Sequence, residues 1–273
     1  NAACLLGGAK ILAAHRDAFG GEVRLVFQPA EEIGQGAKPF IAAGVLDGAE
    51  RVFGLHTAHD LRSGTVGLKP GLNNAAVDHF RIEVHGKSTH VSTPHLGTDA
   101  LYIASQIVVA VQGLVTRMTS PTEPVIIGIG CLNAGTTRTV SQESRDRIRR
   151  LVTETADSIA AIYGGTAEIV WTDFAAALIN DAEVCREAAA VADSLFGEGH
   201  VVTDRELSLS GDNFAEFELY RPGAYAYLGT GNPDKPHTVI SNHNGGLDVD
   251  EDALVTGAAL YAGYALARLG YRQ

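Results

Sequence analysis

The chain has 273 residues, 45% of them hydrophobic and 19% charged, which excludes a disordered chain and allows one large core or two smaller ones. With 32 acidic against 21 basic side chains, a formal net charge of −11 and no Lys/Arg block, nucleic acid and anionic membrane are poor partners, and no apolar run approaches the roughly 18 residues that span a bilayer. Cys4, Cys131 and Cys185 are widely spaced and odd in number, which excludes a disulfide framework and predicts a reducing, cytoplasmic setting.

Residues 2–18 predict a buried, Ala/Gly-rich helix stopped by Gly20-Gly21. A chain that opens inside a helix, without an initiator Met, is expected to lack its own N-terminal part. Val23, Leu25 and Phe27 alternate and predict a strand over 22–28, ended by Pro29, with Glu31-Glu32 just beyond. A short helix over 36–44 follows, then a strand over 51–55 that delivers His56 at its end, and another over 64–68.

The texture then changes. Strands are predicted over 77–85, 124–130 and 167–172, with amphipathic helices over 99–116 and 141–163 between them. This order predicts an open sheet with two helices on one face. Asn180-Asp181 is expected to cap a helix running to about Phe196, and residues 224–228 form a strand. Asp250-Glu251-Asp252 is expected to open a last helix with acids in its first turn. The fold class is therefore a two-domain α/β protein: residues 1–72 and 175–273 form an α/β domain with a mixed sheet, interrupted by an inserted α+β domain over 73–174.

Several positions stand out chemically. Glu31 and Glu32 follow a predicted strand end, where ligands gather in α/β sheets. Adjacent carboxylates there can divide two tasks, one binding a metal and the other taking a proton from the attacking water. His56, directly after an apolar strand, offers an imidazole donor, with His59 and Asp60 as alternatives to it, and His243 offers another from a polar loop before the last helix. His90 sits in a turn of the inserted domain. Gly128-Ile129-Gly130 lacks the third glycine of a dinucleotide loop, and Ser210-Gly211 lacks a nucleophile elbow.

Taken in order, these segments resemble the M20 metallopeptidase family, in particular its aminoacylase and hippurate-hydrolase-like amidohydrolase branch. The resemblance rests on Phe27-Gln28-Pro29-Ala30-Glu31-Glu32, Phe53-Gly54-Leu55-His56, Gly86-Lys87-Ser88-Thr89-His90, Asn180-Asp181, Gly229-Thr230-Gly231-Asn232-Pro233 and Asp250-Glu251-Asp252-Ala253-Leu254. It implies a catalytic domain with a two-metal site and an inserted lid domain (73–174) through which a homodimer forms. It implies two divalent ions, Zn or Mn with Ni or Co as further options. Glu31 would be the general base, and Glu32, His56 and His243 metal ligands. His90 would reach a partner subunit's site to hold substrate or oxyanion, and Arg138 would meet a substrate carboxylate. The implied reaction is hydrolysis of N-acyl amino acids or related small acylated amides by metal-activated water.

Three departures accompany the resemblance. The family's Cys-Gly-His-Asp-x-His segment, which precedes the first helix, is not in this sequence. A loop and strand usual before Arg138 are expected to be missing. The family's Gly-x-Glu-Asp-Phe reads Gly211-Asp212-Asn213-Phe214 here, after Ser210. Glu32, His56 and His243 alone suffice for one ion and fall short for two, with Asp60, His59 or Asp212 as extras. A dipeptidase or aminopeptidase of the same family, and a non-catalytic dimeric homologue, stay open as alternatives.

Overall fold

The computed structural model describes residues 1–131, 134–242 and 244–271. In chain order the elements are α1 (Ala2–Ala14), α2 (Ala37–Ala42), β1 (Val52–Arg62), β2 (Val66–Gly67), β3 (Gly71–Asn74), β4 (Ala76–His85), α3 (Ala100–Met118), β5 (Ile126–Cys131), β6 (Ala134–Thr139), α4 (Gln142–Ile162), β7 (Thr166–Ala175), β8 (Leu178–Asn180), α5 (Ala182–Phe196), β9 (Val201–Val202), α6 (Ala215–Glu218), β10 (Gly223–Gly231) and α7 (Ala253–Arg268). The fold is mixed α/β, with two four-stranded sheets and a short β3-β8 ribbon.

The first sheet has the order β1-β10-β2-β9, with β1 parallel to β10 and β2 antiparallel to it. All nine residues of β10 are buried. Its period of two sorts them by face. Ala224 and Ala226 join Leu55, Val184, Ala188, Leu260 and Tyr264 in the core beneath α5 and α7. Tyr225 and Tyr227 point the other way, into a second cluster with Ala58, Leu178 and Ala215. Helix α1 lies on α7 at a distance only small residues permit: a Cβ at Gly7 would come within 2.7 Å of the Ala258 Cβ, and one at Gly257 within 2.6 Å of the Cys4 sulfur.

The second sheet, β5-β6-β4-β7, is antiparallel throughout and spans residues 76–175. Phe80 on β4 packs with Ile103, Ile107, Val111 and Leu114 of α3 and with Ile148, Val152, Ala156 and Ala160 of α4. Both helices are capped as their sequences dictate. Asp99 accepts from Tyr102 N at 3.0 Å, and Ser141 from Ser144 N at 3.1 Å. Asp181 likewise caps α5, accepting from Glu183 N and Val184 N.

Several expectations need correction. Residues 22–28 form no strand: among the described residues β1 pairs with β10 alone and no ladder reaches the segment. Leu25 and Phe27 consequently stay exposed. The strand carrying His56 does not end there but runs on to Arg62. Residues 64–68 shrink to the two-residue β2. Arg138 lies on β6, which pairs with both β5 and β4. The acids at 250–252 precede α7 rather than fill its first turn, and Asp250 is drawn to Lys235 Nζ at 2.5 Å. Helix α3 has 19 residues, long and apolar enough to cross a membrane, contrary to the reading of its sequence. Ser105, Gln106, Gln112 and Arg117 interrupt it, and Ile103, Ile107, Val111 and Leu114 are buried against its own sheet.

Candidate active site

The loop after Pro29 carries the two adjacent carboxylates on a single tight turn. Ala30 has φ 59°, the one non-glycine residue with positive φ among those described. A 3-10 turn, Glu31–Ile33, follows, and Gly34 closes it at φ 68°. Gly34 N donates to Glu31 O at 2.8 Å and Gln35 N to Ala30 O at 3.1 Å. Gly34 is required twice over, by its φ and because a Cβ there would lie 2.6 Å from the Phe174 carbonyl oxygen. The loop is thus seated on the end of strand β7. Left-handed conformation in a residue with a Cβ costs about 1 kcal/mol and clusters at functional sites.

Glu31 is half-buried, and its carboxyl is pushed up to about 7. Desolvation is the largest cause, followed by the charges of Asp212 and Glu32, while the backbone N–H of Asn213 pulls the other way. Asp212 is buried and anchored, accepting from the Tyr225 hydroxyl at 2.5 Å and from Phe214 N at 2.7 Å. Tyr225 is itself raised by burial, then by Asp212, with Glu31 among the smaller charges acting on it.

His56 sits mid-strand on the same sheet face as Tyr225 and Tyr227, its ring 6.1 Å and 6.3 Å from theirs. Its Nδ1 lies 2.7 Å from the Thr57 carbonyl oxygen, which holds the proton on Nδ1 and leaves the Nε2 lone pair available. A ring nitrogen donating to a backbone carbonyl is the usual support of a metal-binding histidine, so this residue fits a divalent ion. His56 thus faces Tyr225, whose hydroxyl holds the Asp212 carboxylate that acts on Glu31.

The other sequence-derived candidates lie elsewhere. His243 is outside the described residues. His59 alternates to the opposite side of β1 from His56, and Asp60 pairs with Arg205 at 3.1 Å. His90 is exposed in the loop between β4 and α3, where its Nδ1 accepts from Ser92 N at 3.1 Å. The ten residues of β4, about 30 Å of strand, separate that loop from the end of β4 where the chain enters it. Arg138 faces the open side of the second sheet and is half-buried. It donates to Thr136 Oγ1 and to the Thr137 carbonyl and, among the described residues, pairs with no carboxylate. Desolvation lowers its pKa, opposed by Asp78.

Among the described residues one group of three donors lies close enough for a single ion, and it is none of the above: Glu83, His85 and Glu168. Glu83 and Glu168 oppose each other across the β4–β7 ladder, all three are solvated, and Glu83 already pairs with Arg81 at 2.7 Å. Sequence reasoning passed over Tyr225, which reads as strand interior, and Asn213, which was visible only as a departure from a motif.

The profile of peptidase family M20/M25/M40 matches residues 1–267. The chain belongs to that family. It is 36% identical to thermostable carboxypeptidase 1 of Saccharolobus solfataricus, an alignment covering 95% of this chain and 69% of the relative. It is 35% identical to an N-acetyl-L-cysteine deacetylase of Bacillus subtilis, over 93% of this chain and 62% of that one. The chain thus spans about two thirds of the length of these curated relatives. Among solved structures it is similar to an aminohydrolase of methicillin-resistant Staphylococcus aureus described as putative, with TM-score 0.85 and 27% identity over 97% of this chain and 71% of that one. It is also similar to the Bacillus subtilis YXEP protein, described as a dinuclear metal binding peptidase of the family, with TM-score 0.75 and 30% identity over 98% and 71%. This M20 chain is accordingly a hydrolase, and the loop of Glu31 and Glu32, with its left-handed Ala30, lies within the matched region.

Proposed function

We propose that this M20 hydrolase cleaves the amide bond of N-acyl amino acids or closely related acylated amides, with Glu31 as general base. The observation that carries this reading is the Glu31 carboxyl itself, lifted to about 7 by burial and by Asp212 and Glu32, on a loop next to a histidine prepared for a metal. A base poised near neutral pH can both take a proton from water and return it to the leaving amine. Glu32, His56 and His243 would hold divalent metal, two ions per chain and of the Zn or Mn type, which would polarise the scissile carbonyl and acidify the attacking water. Arg138, without a carboxylate partner among the described residues, would receive the substrate carboxylate through two parallel bonds. Residues 73–174 would form a lid domain that also mediates a homodimer, and His90 of a second copy would complete the site. The buried thiols of Cys4 and Cys185 support a cytoplasmic setting.

The names of relatives support small acylated substrates: two are N-acetylcysteine deacetylases of Bacillus subtilis, and one is an IAA-amino acid hydrolase of Arabidopsis thaliana. The carboxypeptidase names of two others support a second reading, cleavage of short peptides. Amine release from N-acetyl amino acids, dipeptides and N-blocked dipeptides, measured side by side with added Mn²⁺ or Zn²⁺, separates them. Turnover of N-acetyl amino acids at least tenfold faster than of peptides supports the first reading, and the reverse order replaces it with the second.

A further inference from the structure

Gln28 and Asn213 are 185 positions apart, yet Gln28 Nε2 donates to Asn213 Oδ1 at 2.7 Å. Gln28 immediately precedes the bend that carries Glu31. It is packed beneath Gly36, where a Cβ would come within 2.6 Å of the Gln28 Cγ. Asn213 is completely buried, and its backbone N–H acts on the Glu31 carboxyl, favouring its charged form. One residue therefore grips the loop at two points, before the bend and at the carboxylate.

The grip is anchored from both sides. Asp212 is tied to Tyr225 of β10. Gly211 lies against Val77 so closely that a Cβ would fall 2.1 Å from its Cγ2. Ser208 exchanges backbone bonds of 3.0 Å with Asn73 and Ala75. Beyond Asn213, Glu216 Oε1 accepts from Ala176 N at 3.2 Å. Residues 208–216 thus bond to the central strand and to both crossings into the second sheet.

The side chain carries a further sign of purpose. Among the described residues, Asn213 Nδ2 is buried with no hydrogen-bond partner. Burying an orphan amide donor is costly, and packing alone would favour an apolar side chain. An aspartate would accept the Gln28 amide equally well, but would put a third carboxylate beside Glu31, next to Asp212 and Glu32. Asparagine supplies the acceptor without the charge.

We propose that Asn213, with Gln28, is a positioning residue that aims the Glu31 carboxylate. This rests on the reading of Glu31 as general base. The test uses the full chain loaded with Mn²⁺ or Zn²⁺, with N-acetyl-L-methionine as substrate, and compares Gln28→Met, Asn213→Ala and the double variant. Methionine keeps the length of Gln28 and removes the donor. The readouts are kcat, KM, bound metal per chain and Tm. Each single variant should lose tenfold or more in kcat, with KM within twofold and metal content unchanged. The double variant should be no worse than the poorer single variant, because both remove one contact. Singles that keep kcat within twofold, losses that multiply in the double variant, or activity that falls in step with bound metal would each overturn the proposal. If Asn213→Ala does not fold, Gln28→Met carries the same expectation alone. Glu31→Gln separates the two levels: retained turnover there refutes the base assignment, whereas lost turnover there with intact kcat in the other variants refutes only the positioning.

Discussion

The Tyr225 hydroxyl donates to Asp212 Oδ2 at 2.5 Å, deep beneath the loop that carries Glu31. The bond fixes a buried carboxylate whose charge is, after desolvation, the largest influence raising Glu31. Removing that charge with Asp212→Asn should let Glu31 titrate lower in metal-free protein. Desolvation persists, so the midpoint should stay above the ordinary 4.5. Carboxyl carbon NMR followed over pH measures this directly, and an unmoved or higher midpoint would remove Asp212 from the account of Glu31.

The left-handed pair bracketing Glu31 and Glu32 responds oppositely to substitution. Ala30 at φ 59° bears a Cβ in a conformation that disfavours it. Ala30→Gly should therefore leave stability unchanged or raise it by up to about 1 kcal/mol, set against the greater freedom of glycine in the unfolded chain. Gly34→Ala should lose about 2 kcal/mol or more, since the added Cβ meets both an unfavourable φ and the Phe174 backbone. Urea midpoints of the two variants test the contrast, and equal effects would mean that the loop does not hold this conformation.

How far the sequence could be read is clear from these residues. Helix ends were legible because Asp99, Ser141 and Asp181 act locally on the next turn. The Glu31-Glu32 pair was legible as a motif. The segment before it was misread as a strand because alternation shows a two-sided surface, not whether a partner strand exists. His56 was placed at a strand end because the apolar run stops there, although the ladder with β10 continues to Ala58 and resumes at Arg62. Tyr225 and Asn213 act through contacts across the chain, and no local pattern marks such contacts.

Within the second sheet, Asp78 is almost fully buried and accepts from Arg145 Nε at 2.8 Å and Nη2 at 2.5 Å, with Arg149 also donating to it. Asp78→Asn would leave two guanidinium groups without their shared counter-charge. Breaking a buried pair in this way costs about 3–5 kcal/mol. The variant should show a lowered urea midpoint of that size while metal per chain stays the same. A loss below about 1 kcal/mol would show that Asp173, which also contacts Arg149, carries the cluster alone.

Glu218 gives the fold a pH dependence of known sign. Its carboxyl is pushed up to about 8, chiefly by desolvation, with one oxygen accepting from Ile179 N at 3.1 Å and the other buried without a partner. The folded state holds its proton more tightly than the unfolded chain, whose carboxyl titrates near 4.5. The stabilising contribution is complete below about 4.5 and is lost as pH rises to about 8. Glu218→Gln should flatten that slope, and above pH 8 it should exceed the parent by about 2–4 kcal/mol. Urea unfolding of both proteins at pH 5 and pH 8.5 checks this, and identical slopes would contradict it.

The most direct test of the central claim is the turnover of N-acetyl-L-methionine by Glu31→Gln, with bound metal measured on the same sample. A general base that loses its carboxylate should lower kcat by roughly 10²–10⁴-fold, while metal per chain and Tm remain those of the parent. A variant that retains turnover within a few-fold, with the same metal content, would contradict the assignment of Glu31 and the mechanism built on it.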